Sequence, residues 1–144
     1  MTTETAHRIA PADLRERSRR GLADAERALD AIERAAGSDR ASVLEPYDDA
    51  WLSATTVGLE AALMKEVHPD AAVRSAAEDV NLEVTRFHTR LQHSRALYDA
   101  LGRVDPSDEL DRRLVQVVRA RTLPISSLCG PADPPNWKAA SSAA

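Results

Sequence analysis

Apolar positions recur along this chain at alternating steps of three and four residues, the spacing that draws one stripe down an α-helix. Leu14, Ser18, Leu22, Ala25, Leu29, Ile32 and Ala36 trace the first stripe. Pro11 predicts its start, because the missing N–H of proline has no partner at the first helical position anyway. Gly37 predicts its end. A second helix is expected from Ser42, which stands at capping-box spacing from Glu45. Tyr47, Trp51, Ala54, Val57, Ala61 and Met64 mark its apolar face. The run stops at Val67-His68-Pro69-Asp70. Pro69 disfavours helical geometry at His68 and predicts the opening of the next helix, with Asp70 in the first turn against the positive end of the dipole.

The third stripe is the clearest. Val73, Ala77, Val80, Val84, Phe87 and Leu91 step by four, three, four, three and four, and Tyr98 and Leu101 prolong the line. Ser94 is a candidate cap, so residues 69–102 read as one long helix or two, closed by Gly102. Asp105-Pro106 predicts the start of a last helix, with Leu110, Leu114 and Val117 inward and Asp108 near its positive end. Short connections favour antiparallel neighbours. The expected fold is therefore all-α, an antiparallel helical bundle of four to five helices. The period disappears after Arg121. Residues 123–144 hold four of the eight prolines and end in small residues, which predicts a disordered C-terminal tail. The expected organisation is a flexible N-terminus over residues 1–10, a helical domain over 11–122 and the tail.

Composition supports this picture and narrows the partners. The chain has 144 residues, enough for one domain, with 43% hydrophobic but only 3% aromatic residues. That bias towards Ala, Leu, Arg and Glu is helical. A net charge of −4 argues against a general nucleic-acid binder, which must neutralise phosphates. Acidic and basic residues are interspersed, as on solvated helix faces. No window reaches the roughly 18 apolar residues of a spanning helix, and residues 1–10 lack the apolar core of a signal peptide. The expectation is a cytoplasmic protein with no membrane partner. Its single cysteine, Cys129, has no internal disulfide partner and fits a reducing compartment.

No complete catalytic constellation emerges. There is no His-Glu-x-x-His and no paired Glu-x-x-His set. His88 and His93 stand five residues apart, about 140° around a helix, and are poorly placed to share an ion. His68 reads as a capping or packing residue. Cys129 lacks a neighbouring base to activate it. Asp48-Asp49 and Glu78-Asp79 are sequence neighbours that point into different sectors. Tyr47, Trp51, Phe87 and Tyr98 fall on apolar stripes and read as core, although the Tyr47/Trp51 face also offers a candidate docking surface. Trp137, in the tail, is the remaining candidate anchor for a partner. No catalytic, cofactor-binding or metal residue is assigned.

Three blocks carry a resemblance. They are Leu44-Glu45-Pro46-Tyr47-Asp48-Asp49-Ala50, then Glu66-Val67-His68-Pro69-Asp70-Ala71-Ala72-Val73-Arg74-Ser75-Ala76-Ala77-Glu78, then Arg95-Ala96-Leu97-Tyr98-Asp99-Ala100-Leu101. In order and spacing, over about residues 34–119, the chain resembles the N-terminal helical region of thimet oligopeptidase-type zinc metallopeptidases, the relatives of oligopeptidase A and peptidyl-dipeptidase. The resemblance implies helices that line one lobe of a narrow substrate channel admitting short peptides. It also implies a zinc-activated water in a separate catalytic region, held by a His-Glu-x-x-His helix and a later Glu. None of those ligands occurs here, so neither zinc nor a catalytic role is carried over. The expectation is a non-catalytic fragment or truncated relative. The other expectation is a stand-alone helical interaction module without enzymatic activity. Loss of a covering lobe predicts self-association, or docking of a separate catalytic region.

Overall fold

A computed structural model describes residues 9–35 and 39–122. The expected flexible N-terminus (apart from Ile9 and Ala10), Ala36, Gly37 and the tail with Cys129 and Trp137 lie outside the described residues. Those residues form five helices and no strand: α1 Pro11–Arg34, α2 Arg40–Val67, α3 Ala71–His93, α4 Arg95–Arg103 and α5 Glu109–Arg121.

Local chemistry fixes the boundaries and in several places moves them; α1 already ends at Arg34, with Ala35 extended, and α4 runs through the expected stop at Gly102 to Arg103. Pro11 opens α1 as expected. The expected start of α2 at Ser42 is corrected to Arg40. Asp39 supplies the cap, its Oδ1 accepting the Ser42 N–H at 2.7 Å. A carboxylate satisfies this orphan donor and also complements the positive helix end, so the Ser42–Glu45 capping box is not used. Glu45 instead lies 3.8 Å from Arg40. The expected opening of α3 at Pro69 is also corrected, because Asp70 is the cap and accepts the Ala72 N–H at 2.8 Å. Ser94 divides the third stripe into two helices. It ends α3 and caps α4, accepting the Leu97 N–H at 3.1 Å while its hydroxyl donates to Glu33 of α1 at 3.1 Å.

The last helix departs furthest from expectation. It begins at Glu109, capped by Asp108 through the Asp111 N–H at 2.8 Å, rather than at Asp105-Pro106. Leu110 and Val117 were expected inward but are 70% and 43% exposed. Asp111 and Val118 face in, with Leu114 and Val115 half-buried beside them. Two neighbouring stripes of α5 have helical spacing, and the inward one joins Val118 to the largest apolar cluster and pairs Asp111 with Arg40.

Helices α1, α2 and α3 form the body. Gly21 meets Val57 and Arg17 meets Glu60, so α1 and α2 run in opposite directions. Gly58 meets Val84 and Lys65 meets Glu78, so α2 and α3 do the same. Arg15–Asp79 and Arg90–Glu26 join α1 and α3 in parallel. The antiparallel bundle is as expected. Its largest apolar cluster spans all five helices around Leu29, Ile32, Leu44, Phe87, Leu91 and Leu101. A smaller one holds Leu14, Met64, Val73, Ala76 and Ala77 at the other end.

With so few aromatics, burial depends on close helix approach. A Cβ at Gly21 would lie 2.5 Å from Val57 Cγ2, and the β-branched Val57 has little freedom to turn away. Gly21→Ala is expected to destabilise, because overpacking costs about 1–3 kcal/mol and the gain in helix propensity returns only about 1 kcal/mol. In a Val57→Ala background the same change should become neutral or stabilising. Denaturant midpoints of the four proteins check this.

Candidate functional site

Of the residues singled out from the sequence, Tyr47, Trp51, Phe87 and His88 come together, and the others lie apart from them. His68 is buried at the α2–α3 turn, where its Nδ1 accepts the Asp70 N–H at 3.2 Å. Arg74 reaches back from α3 to donate to the carbonyls of His68 and Pro69, each at 2.8 Å. The expected packing and capping role of His68 is what the structure shows, and the turn is a locked joint. His93 closes α3 and His88 lies one turn and a half earlier on the same helix. No group of three or more His, Cys, Asp or Glu side chains is placed to hold a metal ion among the described residues. No helix among them is long and apolar enough to cross a membrane.

The aromatic residues form a row between α2 and α3. Trp51 stacks on His88 with centroids 4.9 Å apart and planes 22° apart, and Tyr47 follows Trp51 at 6.4 Å. Tyr47 and Phe87 are buried and Trp51 is half-buried against the core. Tyr47 is therefore core, as expected, and Trp51 keeps only part of its ring exposed. Tyr98 is half-buried under the Arg119 guanidinium, 4.5 Å from the ring centroid. Burial also explains the phenol of Tyr47, which is pushed above its usual range chiefly by desolvation. His88 Nε2 is buried without a hydrogen-bond partner among the described residues, and desolvation pushes the imidazole below its ordinary value. The neutral ring is thus the folded form. Folding stability from His88 is full above the ordinary histidine range and declines as pH falls through it. In a Trp137→Phe background, Trp51 emission should titrate with a midpoint below the ordinary histidine value. Substituting His88→Gln should abolish the transition.

Asp111 is a second buried polar centre that sequence reasoning missed. It is 1% exposed. Ser107 donates to its Oδ2 at 2.6 Å and Arg40 donates to its Oδ1, tying α5 to the first turn of α2. The Ser107 hydroxyl, with Arg40 beside it, holds the carboxyl below its usual range in spite of burial. The only sequence signal was an aspartate on the alternative stripe of α5. A depressed folded pKa means that its contribution is present above the usual carboxylate range and is lost as pH falls through the folded value. Asp111→Asn should lower the melting temperature at neutral pH, and the gap to the parent protein should close on acidification.

Two further surface features bear on function. A groove of about 440 Å³ lies between α1 and α3, lined by Arg15, Arg19, Arg86, Asp79, Glu83 and the apolar Val80 and Leu82. Its walls carry mixed charge, and Arg15 is already paired with Asp79 and Arg19 with Glu16. The other feature is the outer face of α2. This helix packs on α1 along one side and α3 along the other, yet Leu52, Leu59, Leu63 and Val67 remain on its solvent side, at 65%, 68%, 56% and 63% exposure. A helix apolar all round is normally buried all round. α2 is apolar on its inner faces and on its outer one.

Compared with known protein families and with curated protein sequences, the chain matches none.

Proposed function

We propose that this chain acts by protein contact rather than by catalysis, and that the outer face of α2 is the contacting surface. The observation that carries this reading is the row of exposed leucines on a helix whose other sides are already packed. Water contact on such a row is unfavourable by about 25 cal/mol per Å², so a partner that covers it gains binding energy without any rearrangement of the core. The single cysteine fits work in a reducing compartment such as the cytoplasm.

The resemblance to thimet oligopeptidase-type enzymes offers a second reading of the same face. The turn His68-Pro69-Asp70 joins two long helices, the arrangement which that resemblance implies. In this reading the chain is a non-catalytic counterpart of the channel-lining helices. Its α2 face would then rest on a separately encoded catalytic region, and short peptides and zinc would belong to the assembly.

Both readings predict that the purified chain neither retains stoichiometric zinc nor cleaves short peptides in a metal-dependent way. Elemental analysis with a fluorogenic peptide assay checks this, and finding both activities in the pure protein overturns the proposal. Adding the catalytic region of such an enzyme should restore cleavage only under the second reading. In either case Leu52→Ser/Leu59→Ser/Leu63→Ser should abolish the interaction while leaving the helical circular dichroism unchanged.

A further inference from the structure

The proposed α2 contact surface can be given an occupant, because its ends are charged alike. At 100° per residue, Asp48, Leu52, Leu59, Leu63 and Glu66 fall within about 60° of one another on α2. Asp49 lies at the margin of that strip, on the side towards α1. The apolar stretch is thus bracketed by Asp48 and Asp49 at one end and by Glu66 at the other. These three carboxylates are exposed and make no ion pair or hydrogen bond among the described residues. Most carboxylates elsewhere on the bundle are paired, among them Glu16 with Arg19 and Arg20, Glu60 with Arg17, Asp79 with Arg15, and Glu26 and Asp30 with Arg90, whereas Asp13, Glu83 and Asp105 are unpaired among the described residues but flank no apolar strip of α2.

We infer that this face binds an amphipathic helix of a partner protein that carries an apolar stripe and lysine or arginine at both ends. The strip from Asp48 to Glu66 is about 27 Å long at 1.5 Å per residue, which matches a partner helix of about five turns with its basic residues at the ends. Leu52, Leu59, Leu63 and Val67 offer roughly 500 Å² of apolar surface, comparable to the largest patch a monomer usually exposes. That is enough for a helix laid along it, whose anchors recur every three and four residues. Basic ends would satisfy the unpaired carboxylates and set the register, since charge complementarity governs specificity and encounter rate. A second copy of this chain fits less well. Pairing two α2 faces would bury about 1,000 Å² in total, the lower edge of specific interfaces. It would also place Asp48 and Asp49 against Glu66, or each against its own counterpart, whichever way the helices run.

The inference rests on the α2 contact reading and is tested separately from it. The probes are two synthetic helical peptides of about 18 residues with the same leucine stripe, one ending in lysines at both termini and one in glutamates. Binding is read by fluorescence anisotropy at low and high salt, and self-association by sedimentation over a wide concentration range. The lysine-ended peptide should bind at least tenfold more tightly, with a preference that shrinks as salt rises. Asp48→Asn/Asp49→Asn/Glu66→Gln should erase the preference without abolishing binding, and Leu59→Ser/Leu63→Ser should abolish binding of both. Equal binding of the two peptides overturns the charged-partner inference and leaves the contact surface standing. Dimerisation that is lost in Leu59→Ser/Leu63→Ser does the same, naming a second copy as the occupant. No binding by either peptide from a strictly monomeric protein overturns the contact surface itself.

Discussion

Gly21 lets α1 approach α2 so closely that a single added carbon would strike Val57. Much of the bundle follows from that approach. A chain with five aromatic residues cannot fill wide gaps between helices, so it narrows the gaps instead. Ala50, Ala54, Ala61, Ala76 and Ala77 are all buried, leaving the backbones near one another and the leucines to interlock around them. Interiors built this way gain dispersion energy only where the fit is close. One consequence is that α2, held between α1 and α3, cannot turn to hide a third apolar side. The exposed leucines of α2 are the residue of that geometry.

The ends of the helices are secured by a repeated device. Asp39, Asp70, Ser94 and Asp108 each accept a backbone N–H two or three residues on. Each cap is short-range and readable in outline, yet two of them also connect distant parts. Ser94 donates onward to Glu33, and the Asp108 cap presents Asp111 to Arg40. The turn at His68 is held in a third way, by Arg74 gripping two carbonyls. Local stops thereby become tertiary ties, and the short α4 and α5 gain fixed positions that their own length would not provide. Desolvated His88 and the paired Asp111 respond to acid in the same direction but for different reasons. The histidine resists a proton because it is buried, while the aspartate releases one readily because Ser107 and Arg40 favour its charge.

Sequence alone determined the all-helical class and the core faces of α1, α2 and α3, and it marked Ser94 as a candidate break without deciding between one helix and two, because hydrophobic period and capping chemistry are local. Val73, Ala77, Val80, Val84, Phe87 and Leu91 all became core as their spacing required. The tertiary structure decided what period could not. On α5 two stripes had valid spacing, and the buried one meets partners that the segment itself does not contain, the core cluster around Val118 and Arg40, 71 residues away from Asp111. On α2 the stripe through Tyr47 and Trp51 was legible, but the second apolar stripe through Leu52, Leu59 and Leu63 passed unnoticed. A helix apolar on every side gives no period to contrast with its polar positions. Whether such a side is covered depends on how many neighbours pack around the helix, which is a property of the assembled bundle and not of any segment read by itself.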